Sequence, residues 1–124
     1  MARVLLIDDE RTVLEMMRVI LASEGHEVVA FKSGHEALEI LASDQKFDLL
    51  VTDLRMAPLN GLEILRQARV KRPHLRAIVC SAFYSAEIER QAAELGCTSF
   101  VKKPFRMNDM LDAIARALEV EVEV

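Results

Sequence analysis

The chain contains no tryptophan and a single tyrosine; aromatic residues are only 5% of its 124 residues, while 52% are hydrophobic. Its core must therefore be filled by aliphatic side chains. Basic residues are the minority among the charges: 16 Lys and Arg stand against 20 Asp and Glu, a net charge of -4. That balance argues against a nucleic-acid interface, which needs a basic surface, so no direct nucleic acid binding by this domain is expected. No apolar run approaches the length of a membrane span, and Met-Ala-Arg-Val does not open a signal peptide, so no membrane association is expected either. The only two cysteines, Cys80 and Cys97, lack metal-type spacing and are too few for a disulfide framework. They read as small buried residues of a protein in a reducing cytoplasm.

What the chain does have is a set of short aliphatic runs. "VLLI" stands at 4–7, "VVAF" at 28–31, "LLV" at 49–51, "AIVC" at 77–80 and "SFV" at 99–101. Unbroken runs, as opposed to alternating ones, suit strands buried on both faces of a parallel sheet. The intervening segments have helical period. Val13, Leu14, Met17, Ile20 and Leu21 form a stripe that Gly25 stops. Ser33 with Glu36, and Asn60 with Glu63, are capping-box patterns. Ser85 opens a helix that Gly96 closes, and Met110, Leu111, Ile114 and Leu118 mark a last one. This strand–helix alternation, five times over, predicts a single doubly wound α/β domain with helices on both faces. The domain is expected over residues 1–120. The tail "EVEVEV" puts Glu at the negative end of a helix dipole, so 121–124 is expected to be a frayed tail or the start of a linker.

In open α/β sheets ligands bind beyond the carboxyl ends of the strands. The first run ends in Asp8 and Asp9, the third in Asp53, the fourth in Ser81 and the fifth in Lys103. If the first and third strands are neighbours, three carboxylates share one cleft. Two carboxylates about 4 Å apart repel by roughly 4 kcal/mol at an effective dielectric near 20. Relief comes from a proton or a cation. An all-oxygen ligand set suits Mg²⁺, which keeps waters and leaves room for a phosphoryl group. Lys103 adds a cation, Ser81 a hydroxyl, and an aspartate is a nucleophile suited to acyl-phosphate chemistry.

"LLIDDE", "VTDLRM…NG", "SA" and "KKPF", in this order and at these spacings, resemble a response-regulator receiver domain, the phosphoacceptor module of two-component signalling. The resemblance covers essentially the whole chain. It implies a flavodoxin-like (βα)5 fold, five parallel strands in the order 2-1-3-4-5. It implies that Asp53 is phosphorylated by a sensor histidine kinase or a phosphotransfer protein, with Mg²⁺ required. By the same resemblance Asp9 is the direct metal ligand, Asp8 the second acid, and the Arg55 backbone carbonyl a third protein ligand beside Asp53. Ser81 is the hydroxyl that closes on the phosphoryl group, Lys103 the lysine that pairs with it, and Phe100 the aromatic that turns inward. The face made by the fourth helix, fifth strand and fifth helix then binds a partner, a second copy in a phosphorylation-dependent homodimer, or an output domain. The Lys103–Pro104 peptide is expected to be cis. The chain is expected to catalyse only its own phosphorylation and dephosphorylation, and so not to be an enzyme with a separate substrate.

The chain departs from the family at Ala57, where proline is usual and Pro58 follows one later. Arg55 and Phe83 flank the path of hydrolytic water, which implies slow self-dephosphorylation. Glu10 is expected outside the site, in the first turn of the next helix, and His26, His35 and His74 have no ligand spacing. Two rival readings fit the residues less well. An aspartyl-phosphate phosphatase of the haloacid-dehalogenase type needs an acid where Arg55 stands, and a cap domain for which there is little room. A pseudo-receiver acting only by interaction does not need the intact acid set.

Overall fold

The computed structural model describes residues 2–54 and 59–119. Ten elements alternate: β1 (Arg3–Ile7), α1 (Arg11–Ser23), β2 (Glu27–Phe31), α2 (Gly34–Leu41), β3 (Leu49–Thr52), α3 (Gly61–Lys71), β4 (Arg76–Ser81), α4 (Ala86–Glu94), β5 (Cys97–Lys102) and α5 (Met107–Glu119). The strands form one parallel sheet in the order β2-β1-β3-β4-β5. This is the expected doubly wound architecture. The expected tail, 121–124, lies outside the described residues.

The unbroken aliphatic runs supply two cores by alternation. Leu5, Ile7, Leu50, Ala77 and Val79 point to one face and pack with Ala37, Leu41, Ile64, Leu65 and Ala92 from α2, α3 and α4. Val4, Leu6, Leu49, Val51, Ile78 and Cys80 point to the other and meet Leu14, Met17 and Leu21 of α1 and Met110, Ala113, Ile114 and Ala117 of α5. The central strands β1, β3 and β4 are buried almost throughout, while the edge strands β2 and β5 are half-buried.

Local signals place the helix ends. The side chains of Ser33, Asn60 and Ser85 each accept a backbone N–H of the following turn, from His35 at 3.2 Å, Glu63 at 2.9 Å and Ile88 at 3.1 Å. The Asn60–Glu63 box is formed in one direction: the Glu63 carboxylate takes Arg66 and Gln67. Gly25 and Gly96 follow α1 and α4 with φ of +86° and +84°, the left-handed conformation that ends a helix. The fifth strand starts earlier than its apolar run, at Cys97, with a register shift against Ala77 and Ile78.

One boundary differs in a way that matters. Helix α1 begins at Arg11, so Glu10 is its N-cap and not part of its first turn. The Glu10 side chain accepts no capping hydrogen bond. Its position there sends the carboxylate back toward the strand ends.

Candidate functional site

Parallel strands bring their carboxyl ends to one edge of the sheet, and the site is built there. Asp8 directly follows β1, and its N–H donates to Phe31 O at 3.2 Å, which extends the ladder by one residue. Asp53 follows β3, held by its own N–H on Ile7 O at 2.9 Å. Ser81 is the last residue of β4, and its carbonyl accepts the Lys103 N–H at 2.9 Å. The Lys103–Pro104 peptide is cis, as expected. The strand order β1-β3-β4-β5 therefore decides that Asp8, Asp53, Ser81 and Lys103 are neighbours.

Asp8, Asp53 and Ser81 are buried, at 3%, 6% and 1% relative exposure, in a chain whose other buried side chains are almost all apolar. Such groups need partners. Asp53 Oδ1 accepts the Leu54 N–H at 2.7 Å, which leaves Oδ2 facing Lys103 Nζ at 3.4 Å. Asp8 Oδ1 accepts the Glu10 N–H at 2.9 Å, and Oδ2 accepts from Lys103 Nζ at 2.7 Å. The third carboxylate on Lys103 is Glu10, at 3.1 Å. One ammonium thus serves three acids. Burial pushes the Asp8 carboxyl above its usual range, against the opposing hydrogen bonds from Lys103 and the Glu10 amide. Burial alone would lower Lys103, but its bond to Asp8 and the charges of Asp8 and Asp53 outweigh that and hold the ammonium above its usual value.

Carboxylate oxygens of Asp8, Glu10 and Asp53 all lie within 4.8 Å of one another. An all-oxygen set of this compactness is compatible with a hard divalent cation. Asp9 is placed differently from its neighbour: it is exposed, it lines the cleft, and its carboxylate is not one of these three. The Arg55 carbonyl, with Ala57 and Pro58, lies outside the described residues. The cleft itself measures about 480 Å³ and is walled by Asp9, Glu10, Asp53, Ser81, Phe83 and Lys103. The Ser81 hydroxyl accepts the Phe83 N–H at 3.1 Å, which ties the β4–α4 loop to the end of β4.

Phe100 is half-buried on β5, away from the acids. Its ring meets Tyr84 edge-on, with centroids 5.5 Å apart and planes at 81°. The Lys102 ammonium sits 3.8 Å from the Tyr84 ring centre, and the Tyr84 hydroxyl donates to Glu89 at 2.8 Å. The sequence leaves Tyr84 without a role, and its expectation that Glu10 lies outside the site is wrong, because the Glu10 carboxylate reaches Lys103 and groups with those of Asp8 and Asp53. Tyr84, the one tyrosine, could have been found as an aromatic three places after Ser81. Glu10 could have been found as a third acid in a row, but only the start of α1 shows where it points.

Cys80 fits the reading of a small buried residue, and Cys97 fits it only in part. Cys80 is buried and its thiol is pushed up to about 12 by burial; Cys97 is half-buried and also raised by burial. Among the described residues no helix is long and apolar enough to cross a membrane.

The response regulator receiver domain family matches residues 4–115. The chain is 36% identical over 118 residues to the alginate biosynthesis transcriptional regulatory protein AlgB of Pseudomonas aeruginosa, covering 95% of this chain and 26% of AlgB. It thus spans about a quarter of that relative's length. It is 31% identical over 117 residues to the chemotaxis protein CheY of Listeria monocytogenes, covering 94% of this chain and 98% of CheY. The fold superposes with a TM-score of 0.90 on the non-phosphorylated HemR receiver domain from Leptospira biflexa, at 27% identity, covering 100% of this chain and 99% of that one. The family match over residues 4–115 agrees with the doubly wound sheet and with the site at its strand ends, and the chain belongs to the receiver-domain family of two-component response regulators.

Proposed function

We propose that Asp53 accepts a phosphoryl group from a phosphohistidine on a sensor histidine kinase or phosphotransfer protein. Asp53 Oδ2 forms the new bond to phosphorus, the phosphorus–nitrogen bond breaks, and the imidazole keeps the electron pair and takes a proton. The observation that carries this reading is the Asp53 carboxylate, buried, pinned through one oxygen by the Leu54 amide and presenting the other to Lys103 in an open cleft. Lys103 pairs with the transferred oxygens, exchanging one of its carboxylates for the phosphoryl group. Ser81, now accepting from the Phe83 amide, offers its hydroxyl to the same group.

Mg²⁺ fits the donor set: Asp8 and Asp53 would hold it, with Asp9 at the cleft wall. When bound it supplies charge neutralisation for the phosphoryl oxygens. Drawing Ser81 and its loop inward frees Tyr84 from Phe100, whose inward turn reshapes the face of α4, β5 and α5. That face then binds an output domain or protein, or a second copy. The reaction is confined to the chain's own phosphorylation and dephosphorylation, in the cytoplasm, with no direct contact to nucleic acid or membrane. Phe83 at the cleft wall shields the phosphoryl group, so its lifetime is long.

Incubation with a small acyl phosphate and Mg²⁺, followed by intact mass measurement, tests this. A gain of one phosphoryl group, lost in Asp53→Asn, is the expected result. No gain on the natural chain would overturn the phosphoacceptor reading.

A further inference from the structure

The resemblance assigns Glu10 no role, yet its carboxylate reaches into the site. Its carboxylate accepts from Lys103 Nζ at 3.1 Å, while its side chain is 60% exposed and that of Lys103 only 10%. It therefore stands at the mouth of the cleft, whereas the Asp8 carboxylate on the same ammonium is buried. It also borders a second groove, of about 330 Å³, formed with Val13, Met16, Ala82, Pro104 and Phe105. As the N-cap of α1 it makes no side-chain cap bond, so its carboxylate is committed to the cleft.

This has a consequence for phosphoryl donors that rests on the phosphoacceptor reading above. A group arriving at Asp53 needs Lys103, and Lys103 is shared with Glu10. Once Lys103 turns to the phosphoryl oxygens, the Glu10 charge is left uncompensated beside the reacting group. An acyl phosphate arrives as an anion, forms the bond between phosphorus and Asp53, and expels a carboxylate that keeps the electron pair as a negative charge. A phosphorylated imidazole or amine undergoes the same displacement but, after taking a proton, leaves as a neutral base. A carboxylate at the cleft mouth opposes the first kind of leaving group far more than the second.

We propose that Glu10 determines donor specificity, disfavouring small acyl phosphates relative to nitrogen-linked phosphoryl donors by repelling an anionic leaving group at the cleft mouth. The residue acts at the entrance, as a screening group, and takes no part in bond making.

The test compares phosphorylation rate constants of the natural chain and Glu10→Gln, with saturating Mg²⁺, using acetyl phosphate and phosphoramidate as donors. The exposed setting of Glu10 sets the expected effect: a gain of roughly threefold to tenfold with acetyl phosphate. With phosphoramidate the expected gain stays under about twofold, since its leaving group carries no charge. The acetyl phosphate gain shrinks in about 1 M salt, where the screening length falls to about 3 Å. Glu10→Asp, which keeps the charge, restores the natural donor ratio; a merely structural role would move neither the ratio nor its salt dependence. Equal acceleration of both donors, no acceleration, or a slower variant would each overturn the proposal. If neither protein is phosphorylated by either donor, the phosphoacceptor reading falls and this one with it. If both are phosphorylated with the same donor ratio, only the role of Glu10 falls.

Discussion

Replacing Lys103 by methionine removes the ammonium and keeps an apolar stem of similar length. Its Nζ sits 2.7, 3.1 and 3.4 Å from Asp8, Glu10 and Asp53. At an effective dielectric near 20 each contact is worth roughly 5 to 6 kcal/mol before desolvation. Most of that is cancelled by the cost of burying the charges, and the exposed Glu10 contact contributes at most about 1 kcal/mol. Removing one partner of a buried pair leaves the other unpaired, at about 3 to 5 kcal/mol. Here the lower end applies, because the cleft opens to water. The expected loss is therefore about 3 kcal/mol at pH 7 in a metal chelator, read as a urea midpoint lower by roughly 1 to 2 M. Adding Mg²⁺ should stabilise the variant more than the natural chain, since a cation entering the acid cluster no longer meets the ammonium's repulsion. A loss under about 1 kcal/mol would refute the view that Lys103 is the internal counter-ion of these acids. So would a smaller Mg²⁺ effect on the variant than on the natural chain.

Two further outcomes follow from the same geometry. A Cβ on Gly61 would lie 2.1 Å from the Asp53 carbonyl oxygen and 2.9 Å from Leu54 Cα, so Gly61→Ala must push α3 away from the end of β3. Against a propensity gain of up to about 1 kcal/mol, the clash should leave a net loss of about 2 kcal/mol in urea unfolding, with phosphorylation of Asp53 also slowed; a variant as stable as the natural chain would refute the close approach. Asp8 has a folded-state pKa raised above its unfolded value, so its ionised form costs stability above the folded pKa, and that cost disappears as pH falls through it. Asp8→Asn should thus stabilise the metal-free chain at pH 7 and confer little near pH 4, in paired urea titrations; a difference independent of pH would refute the assignment.

Much of the fold could be read from five aliphatic runs, because a strand buried on both faces has to be apolar at every position, and such runs survive in any context. The ends of the helices were legible where a capping side chain or a left-handed glycine stood, as at Asn60, Ser85, Gly25 and Gly96. The start of α1 was not. Asp8 and Asp9 are the better capping residues, yet the helix starts after Glu10, because its start depends on where β1 stops pairing with β2 and β3. The edge contacts of Phe100 with Tyr84 were hidden for a related reason, since they depend on how the β4–α4 loop folds over β5.

The amino-acid sequence by itself determined the alternation of elements, the aliphatic core and the residue types that end each strand, because these depend on local periodicity and turn chemistry. Only the tertiary structure decided which of those residues share a charge. Lys103 reaches Asp8, Glu10 and Asp53 across separations of 95, 93 and 50 residues, and sheet order and strand register set those distances. Asp8 and Asp9 are neighbours in the chain, but the pleat and the turn after β1 bury one beneath the lysine and leave the other at the cleft wall. Glu10, one residue further, comes back over the site because the helix starts one residue later than its pattern suggests.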